Sequence, residues 1–366
     1  MKLPTYARTI IKRLVAFLTL FFMLWTAHPA QGKAASIALS RAGRLDAASP
    51  QAVQALSAAR SMGMDWVILE IDWSALPRPV NGRYDLGALS TTIVRADDAG
   101  LRVALSIHSA PAWAMDEDGP NPQATAALVR ALVNATPYSI QAIELFPEPN
   151  TSAGWGALPN PQAYAAVLRA VHTTLEQDSR NVILVTGGLS PQPAPATGET
   201  LSDLDFLQGL YRAGALADMD AVGLSYPVFD PAADDPEEPD GLFRHYQEVR
   251  LLMLNNGHKE GSIWVTRLAW KTDAPENTQD RWLHTAYQLL RQQVYIGLVA
   301  FDGLTPPPQR PLTVVDTQGR LTAQFGLIGD AIGGKQATPA PHPFSWSTLM
   351  HRLKVLIRDQ TIEKSP

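Results

Sequence analysis

Eight short apolar runs, each followed by a segment with helical spacing, constrain this chain more than any other feature. The runs are SIALS (Ser36 to Ser40), WVILEIDW (Trp66 to Trp73), LRVALSIH (Leu101 to His108), AIELFPE, NVILVTGG, DAVGLSY, SIWVTRLAW and YIGLVAFDG. Between them lie segments such as PQATAALVRALVNA and PQAYAAVLRAVHTTLEQD, in which Ala, Leu and Val recur every three or four residues. The second of these opens with Pro161 in its first turn, where a missing N–H costs nothing. Strands that are apolar throughout suit a parallel sheet covered on both faces, and parallel strands need crossover helices. Eight such units predict an α/β fold, a single (β/α)8 TIM barrel over residues 36–304. A doubly wound open sheet is the rival, but no G-x-G-x-x-G or phosphate loop follows any run.

The flanks carry different signals. Lys2, Arg8, Lys12 and Arg13 precede the apolar stretch Leu14 to Trp25, and small residues follow it up to Gly32. That pattern predicts a signal peptide or N-terminal membrane anchor over residues 1–32 and a body outside the cytoplasm, secreted or held at the cell surface. The stretch is shorter than the roughly 20 residues that span a bilayer, so membrane contact is expected only through an uncleaved anchor. The formal net charge is −5, and removing residues 1–32 takes away four positive charges, leaving −9. Neither value offers a basic surface for nucleic acid. With no cysteine in the chain, disulfides and thiolate chemistry are excluded. After residue 304 the alternation stops: residues 305–343 read as a Pro/Gly-rich loop with TQGR as a hairpin turn. Residues 344–360 read as an amphipathic helix, with Trp346, Leu349, Leu353 and Leu356 on one face. It is expected to pack on the barrel, with a membrane surface as the alternative. The acidic stretch Asp230 to Gly241 reads as a solvated loop, with calcium binding as the alternative.

Barrels of this kind carry their function where the strands end. Those ends present Trp73, then His108 and Trp113, then Pro147, Glu148, Asn150 and Trp155. Further along come Ser225 and Tyr226, Arg267 and Trp270, and finally Asp302. Pyranose rings stack on aromatic faces and their hydroxyls need polar partners, so this set suits a sugar-sized cleft, although tryptophan at a rim also serves as wall packing. The eight histidines show no metal-ligand spacing, and no metal or cofactor is expected.

At these residues the chain resembles the clan A glycoside hydrolases, the cellulase and β-xylosidase type of barrel. IELFPEPN stands where the family has Asn-Glu-Pro, DAVGLSYPVF where a strand ends in His-Pro-Tyr, and IWVTRLAW where a strand carries the nucleophilic glutamate. The resemblance implies that Glu148 occupies the acid/base position and Arg267 the nucleophile position, with Pro147 and Ser225 replacing the usual Asn and His. A retaining glycosidase needs two carboxyl groups about 5–5.5 Å apart, and a guanidinium that stays protonated cannot attack an anomeric carbon. A cation at that place also favours the ionised form of Glu148, which has no proton to give. Arg267 is expected to reach Glu148 and pair with it through charge-assisted contacts.

Three functional readings follow. In the first, the chain is an inactive pseudo-glycosidase that binds carbohydrate or another component of the cell envelope. The second is an active glycosidase that keeps Glu148 as acid/base with a displaced carboxylate, Asp302, Glu70 or Asp72. The third is a structural barrel without a ligand.

Overall fold

The computed structural model describes residues 39–178, 180–191, 198–306 and 312–333. The expected signal segment and C-terminal helix lie outside these residues, as does part of the 305–343 loop. Eight strands close into a barrel: β1 (Ser40–Asp46), β2 (Trp66–Asp72), β3 (Arg102–His108), β4 (Ile140–Leu145), β5 (Ile183–Thr186), β6 (Ala221–Phe229), β7 (Ser262–Trp270) and β8 (Ile296–Phe301). Their order is β1-β8-β7-β6-β5-β4-β3-β2, and neighbours run parallel. The longer helices are α1 (Ala52–Ser61), α2 (Gly87–Asp98), α3 (Pro122–Ala135), α4 (Pro161–Gln177), α5 (Asp203–Arg212), α6 (Tyr246–Asn255), α7 (Glu276–Arg291) and α8 (Ala323–Ala331). The (β/α)8 barrel expected from the eight runs is the fold observed. Two helices start at Asn-Pro pairs for a local reason. Asn121 Oδ1 accepts from the N–H of Ala124, and Asn160 Oδ1 from those of Gln162 and Ala163, while Pro122 and Pro161 fill the first helical position.

Two elements differ from the sequence reading. The first described strand is Ser40–Asp46, whereas most of the expected Ser36–Ser40 lies outside the described residues. Its sequence, SRAGRLD, looks unlike a buried strand because it holds two arginines and a glycine. Arg41 is neutralised at one edge by Asp65, at 2.9 and 2.8 Å, and Arg44 is neutralised inside the barrel. The eighth helix is α8, within the segment expected to be a loop. Gly326 and Gly329 read as breakers in sequence, whereas Thr322 caps the helix and Leu327 and Ile328 bury its inner face. The hairpin turn just before it is present, with Val315 bridged to Leu321.

The inward positions change character up the barrel. Ala42, Trp66, Ile68, Ala104, Ala142, Val185, Ala221, Trp264, Leu298 and Ala300 form an apolar cluster of their own, separate from the core between sheet and helices. Trp66 and Trp264 meet there edge to face, with centroids 5.4 Å apart. Two residues further along β1, β2, β3 and β4 the inward positions hold Arg44, Glu70, Ser106 and Glu144, all buried. Arg44 donates to Glu70 Oε1 at 3.1 Å, Glu144 Oε2 at 3.0 Å, Ser106 Oγ at 2.9 Å and the Thr266 carbonyl at 2.8 Å. Burial opposes this charge, but the neighbouring carboxylates of Glu144 and Glu70 outweigh burial and raise the guanidinium above its ordinary value. The barrel is therefore plugged with apolar side chains below and tied by one arginine above.

Candidate functional site

The site lies on the loop after β4. Phe146 and Glu148 both have left-handed backbone, with φ of 51° and 59°, a conformation that costs a residue with a side chain unless its surroundings impose it. Here they do. The Phe146 N–H donates to Ile107 O at 2.8 Å, and the Glu148 N–H donates to Gly188 O at 2.9 Å. From the other side, the Thr151 N–H and Oγ1 both donate to Glu148 O at 2.9 Å. Gly188 is itself clamped, because its N–H donates to Glu144 Oε1 at 3.0 Å. A Cβ on Gly188 would overlap Thr266 Oγ1 and press on Ser225, so only glycine fits there. A chain of bonds thus runs from Arg44 through Glu144 and Gly188 to the backbone of Glu148.

Arg267 reaches the rim through a bulge. Leu224 of β6 pairs with Val265 of β7, but the next residue, Ser225, pairs with Arg267, so β7 carries an extra residue at Thr266. Such an insertion re-aims side chains beside it. Thr266 stays buried against Gly188 while Arg267 is about one-third exposed, at 31%.

The side chains then meet in a line. Arg267 Nε donates to Asp302 Oδ2 at 2.9 Å, and Arg267 Nη1 lies 3.4 Å from Glu148 Oε1. Ser225 Oγ donates to the same Oε1 at 2.9 Å. The expected Glu148–Arg267 pairing therefore exists as one long contact. The short bond from Arg267 goes to Asp302, whose side chain is 1% exposed. The more buried carboxylate has the greater need of a cation.

Most of the other rim residues are packed away from any cleft. Trp73, Trp155, Trp270 and Tyr226 are buried, which is the wall-packing alternative for aromatic residues at the rim. Each has a packing reason. Trp73 lies edge-on to Trp113 and against Phe146, Trp155 Nε1 donates to Asp118 O at 2.7 Å, and Trp270 Nε1 donates to Gln279 Oε1 at 3.1 Å. The Tyr226 hydroxyl donates to Phe243 O at 2.7 Å, and burial holds this phenol well above its ordinary value. Asn150 is buried too, and its amide bridges Ser190 and Leu201. Trp113, His108 and Pro147 are half-buried at the rim, with His108 Nδ1 3.0 Å from Ser109 Oγ. Of the substitute carboxylates, Glu70 is engaged by Arg44, Asp302 by Arg267, and Asp72 accepts from Ser74 N and Oγ. Among the described residues no group of three or more His, Asp or Glu is arranged to hold a metal ion. None of the described helices is long and apolar enough to cross a membrane.

No protein-family profile and no curated protein matches the chain. Solved structures do match. A family 39 glycoside hydrolase from the gut symbiont Bacteroides cellulosilyticus superposes with a TM-score of 0.60 at 16% identity, over 81% of this chain and 64% of that one. The chain has the fold of these enzymes. A family 128 endo-β-1,3-glucanase from Sorangium cellulosum gives 0.54 at 16% identity, covering 80% of this chain and 98% of that one. For a family 30 subfamily 8 xylanase from Clostridium acetobutylicum the values are 0.53 and 13%, over 80% and 70% of the two chains. This chain spans 64% of the length of the family 39 enzyme, so that enzyme has further parts without a counterpart in the match.

Sequence reasoning missed Arg44, Glu144 and Gly188. A signal for them was present. Glu70 and Glu144 sit inside the apolar runs WVILEIDW and AIELFPE, and buried acids there require a buried cation.

Proposed function

We propose that this chain is an exported pseudo-glycosidase, a glycoside-hydrolase-like barrel that binds carbohydrate at its rim without cleaving it. The observation that carries this reading is Arg267. It stands across from Glu148 and engages both Glu148 and Asp302, so the nucleophile position holds a cation instead of a carboxylate and Asp302 is itself engaged. An inverting route through Asp302 meets the same obstacle, since that carboxylate is buried and bonded to Arg267. Glu148 is held in a sparsely populated backbone conformation by several bonds, which supports a retained role at the rim. Among the described residues its side-chain contacts fall on Oε1, which leaves Oε2 as an acceptor for a hydroxyl or another donor. The half-buried Trp113 on the β3 loop lies edge-on to Trp73, which in turn lies against Phe146 of the Glu148 loop.

Aryl-glycoside hydrolysis and a glycan array together test this reading. Expected are no turnover by the wild type, none restored by Arg267→Glu alone because Pro147 and Ser225 remain, and array binding that weakens in Glu148→Gln. Wild-type turnover abolished by Glu148→Gln would overturn the assignment, as would the absence of any glycan binding.

A further inference from the structure

We propose that the groove between α1 and α2, on the outer wall of the barrel, is the docking site of the chain's own C-terminal segment, residues 344–360. This is independent of what the rim binds. The groove holds a cavity of about 570 Å³. Val53, Leu56, Ser57 and Arg60 line it from α1, and Arg95, Asp98 and Ala99 from α2. Within each set the residues fall three or four apart, so one side of each helix faces the gap. Val53 and, next to Arg95, Val94 are exposed. The stems of Arg60 and Arg95 add apolar surface while their charged heads stay in water. A trough of this kind between two helices accepts the apolar ridge of a third.

The occupant follows from where the described chain ends. The strand order places β8 on one side of β1 and β2 on the other, so α8 and α2 lie on opposite flanks of α1. Along the α8 flank the chain follows α1 from its start to its end. Gln51 Nε2 donates to Thr317 O at 3.0 Å, a Cβ on Gly319 would lie 3.6 Å from Gln54 Cγ, and one on Gly329 would lie 3.8 Å from Met62 Cγ. The described residues stop at 333, four residues past Gly329 and hence beside the end of α1. Residues 334–343 then form a linker with three prolines, Pro339, Pro341 and Pro343. At about 3.1 Å per residue its ten residues span roughly 31 Å, whereas the helix to be crossed is about 10–12 Å wide.

Wound as the helix its spacing predicts, the segment 344–360 would be about 25 Å long. Trp346, Leu349, Met350, Leu353, Leu356 and Ile357 would share one side, and Arg352, Lys354, Arg358 and Asp359 would fall on the others. Docked with the apolar side down, it keeps its own cations in water and away from Arg60 and Arg95. α1 would then be held on both flanks by the end of the chain.

The chain has no cysteine, so a single thiol can report on the groove. In full-length Ser57→Cys, maleimide labelling is expected to be at least about tenfold slower than in the same variant carrying Trp346→Ser/Leu349→Ser/Leu353→Ser, at any protein concentration. Leu251→Cys, on the exposed face of α6, should label at one rate in both backgrounds, which separates undocking from unfolding. Hydrogen exchange needs no substitution: the amides of residues 344–360 should be protected in the wild-type chain. Equal labelling at residue 57 in the two backgrounds would overturn the proposal, as would exchange of those amides at the rate of a free peptide. Protection of Leu251→Cys in place of Ser57→Cys would put the segment on another face and refute the site. Protection at residue 57 that fades on dilution, or that arises only with phosphatidylglycerol vesicles, would give the segment to a second copy or to a lipid surface and refute docking on its own barrel.

Discussion

Replacing Arg267 with methionine removes one 2.9 Å charged bond to a buried carboxylate and one 3.4 Å contact to one that is about one-third exposed. Those two losses should be very unequal. Breaking a buried ion pair by deleting one partner commonly costs about 3–5 kcal/mol, whereas a contact shared with solvent is worth about 1 kcal/mol or less. Arg267 is itself one-third exposed, and Asp302 still lies in the field of Arg44, so the lower end applies. Arg267→Met should therefore cost about 3 kcal/mol, or roughly 5 °C in melting temperature for a barrel of this size. Two double-mutant cycles, read by thermal and urea denaturation, apportion that loss. With Asp302→Asn the coupling should reach about 1.5 kcal/mol or more, and with Glu148→Gln it should stay below about 0.5 kcal/mol. A Glu148 coupling equal to or larger than that of Asp302 would refute the geometry on which the reading of the site depends.

Further outcomes follow from other parts of the barrel. Arg44→Met should destabilise by about 3–5 kcal/mol, and adding Glu70→Gln and Glu144→Gln should recover part of that loss, because fewer buried charges are then left without a cation. Full additivity in denaturation would contradict the network. Gly188→Ala should lower stability and weaken glycan binding together, since the added methyl displaces both Thr266 and Ser225; a variant that binds normally would show that the Glu148 loop does not depend on this glycine. His245 lies between Asp203, at 2.6 Å, and Glu248, at 3.0 Å, and although burial opposes its charge these acids raise its pKa above the ordinary histidine value. Its contribution to stability is thus complete below the unfolded value of about 6.5 and is lost as pH rises through the folded value. His258, lowered by burial and by Arg250, has the opposite sign, so the measurement is the pH dependence of the difference between wild type and His245→Gln. A difference that grows with rising pH would contradict the assignment.

The periodicity of the sequence was enough for the barrel, because seven strands are apolar runs in which burial on both faces leaves little choice of residue. β1 escaped for the same reason inverted. Its two arginines are acceptable only because Asp65, Glu70 and Glu144 arrive from 24, 26 and 100 residues away, and no local pattern reports such partners. At the rim, the positions of Glu148, Ser225, Arg267 and Asp302 were legible from strand ends, and these four do meet. Which cation–carboxylate pair is tight was not, since it depends on a one-residue bulge in β7 that shifts Arg267 relative to Thr266. Nor was the fate of Trp73, Trp155 and Trp270. A tryptophan after a strand looks alike whether its ring faces an opening or lies under a loop, and here each lies under one.

The arginine at the centre of the barrel also bears on the order of assembly. Its partners on Glu70, Ser106 and Glu144 come 26, 62 and 100 residues after it, and its last, the Thr266 carbonyl, comes 222 residues after it. The first four strands thus bring their own counter-ions, and an N-terminal half-barrel can neutralise Arg44 before the rest of the chain docks. What the C-terminal half adds is a neutral acceptor, the Thr266 carbonyl, together with the buried carboxylate of Asp302, in whose field Arg44 also lies. Closing the ring therefore costs loop-closure entropy and also buries the Asp302 charge beside Arg267 and Arg44, so the slow step in refolding should respond to salt.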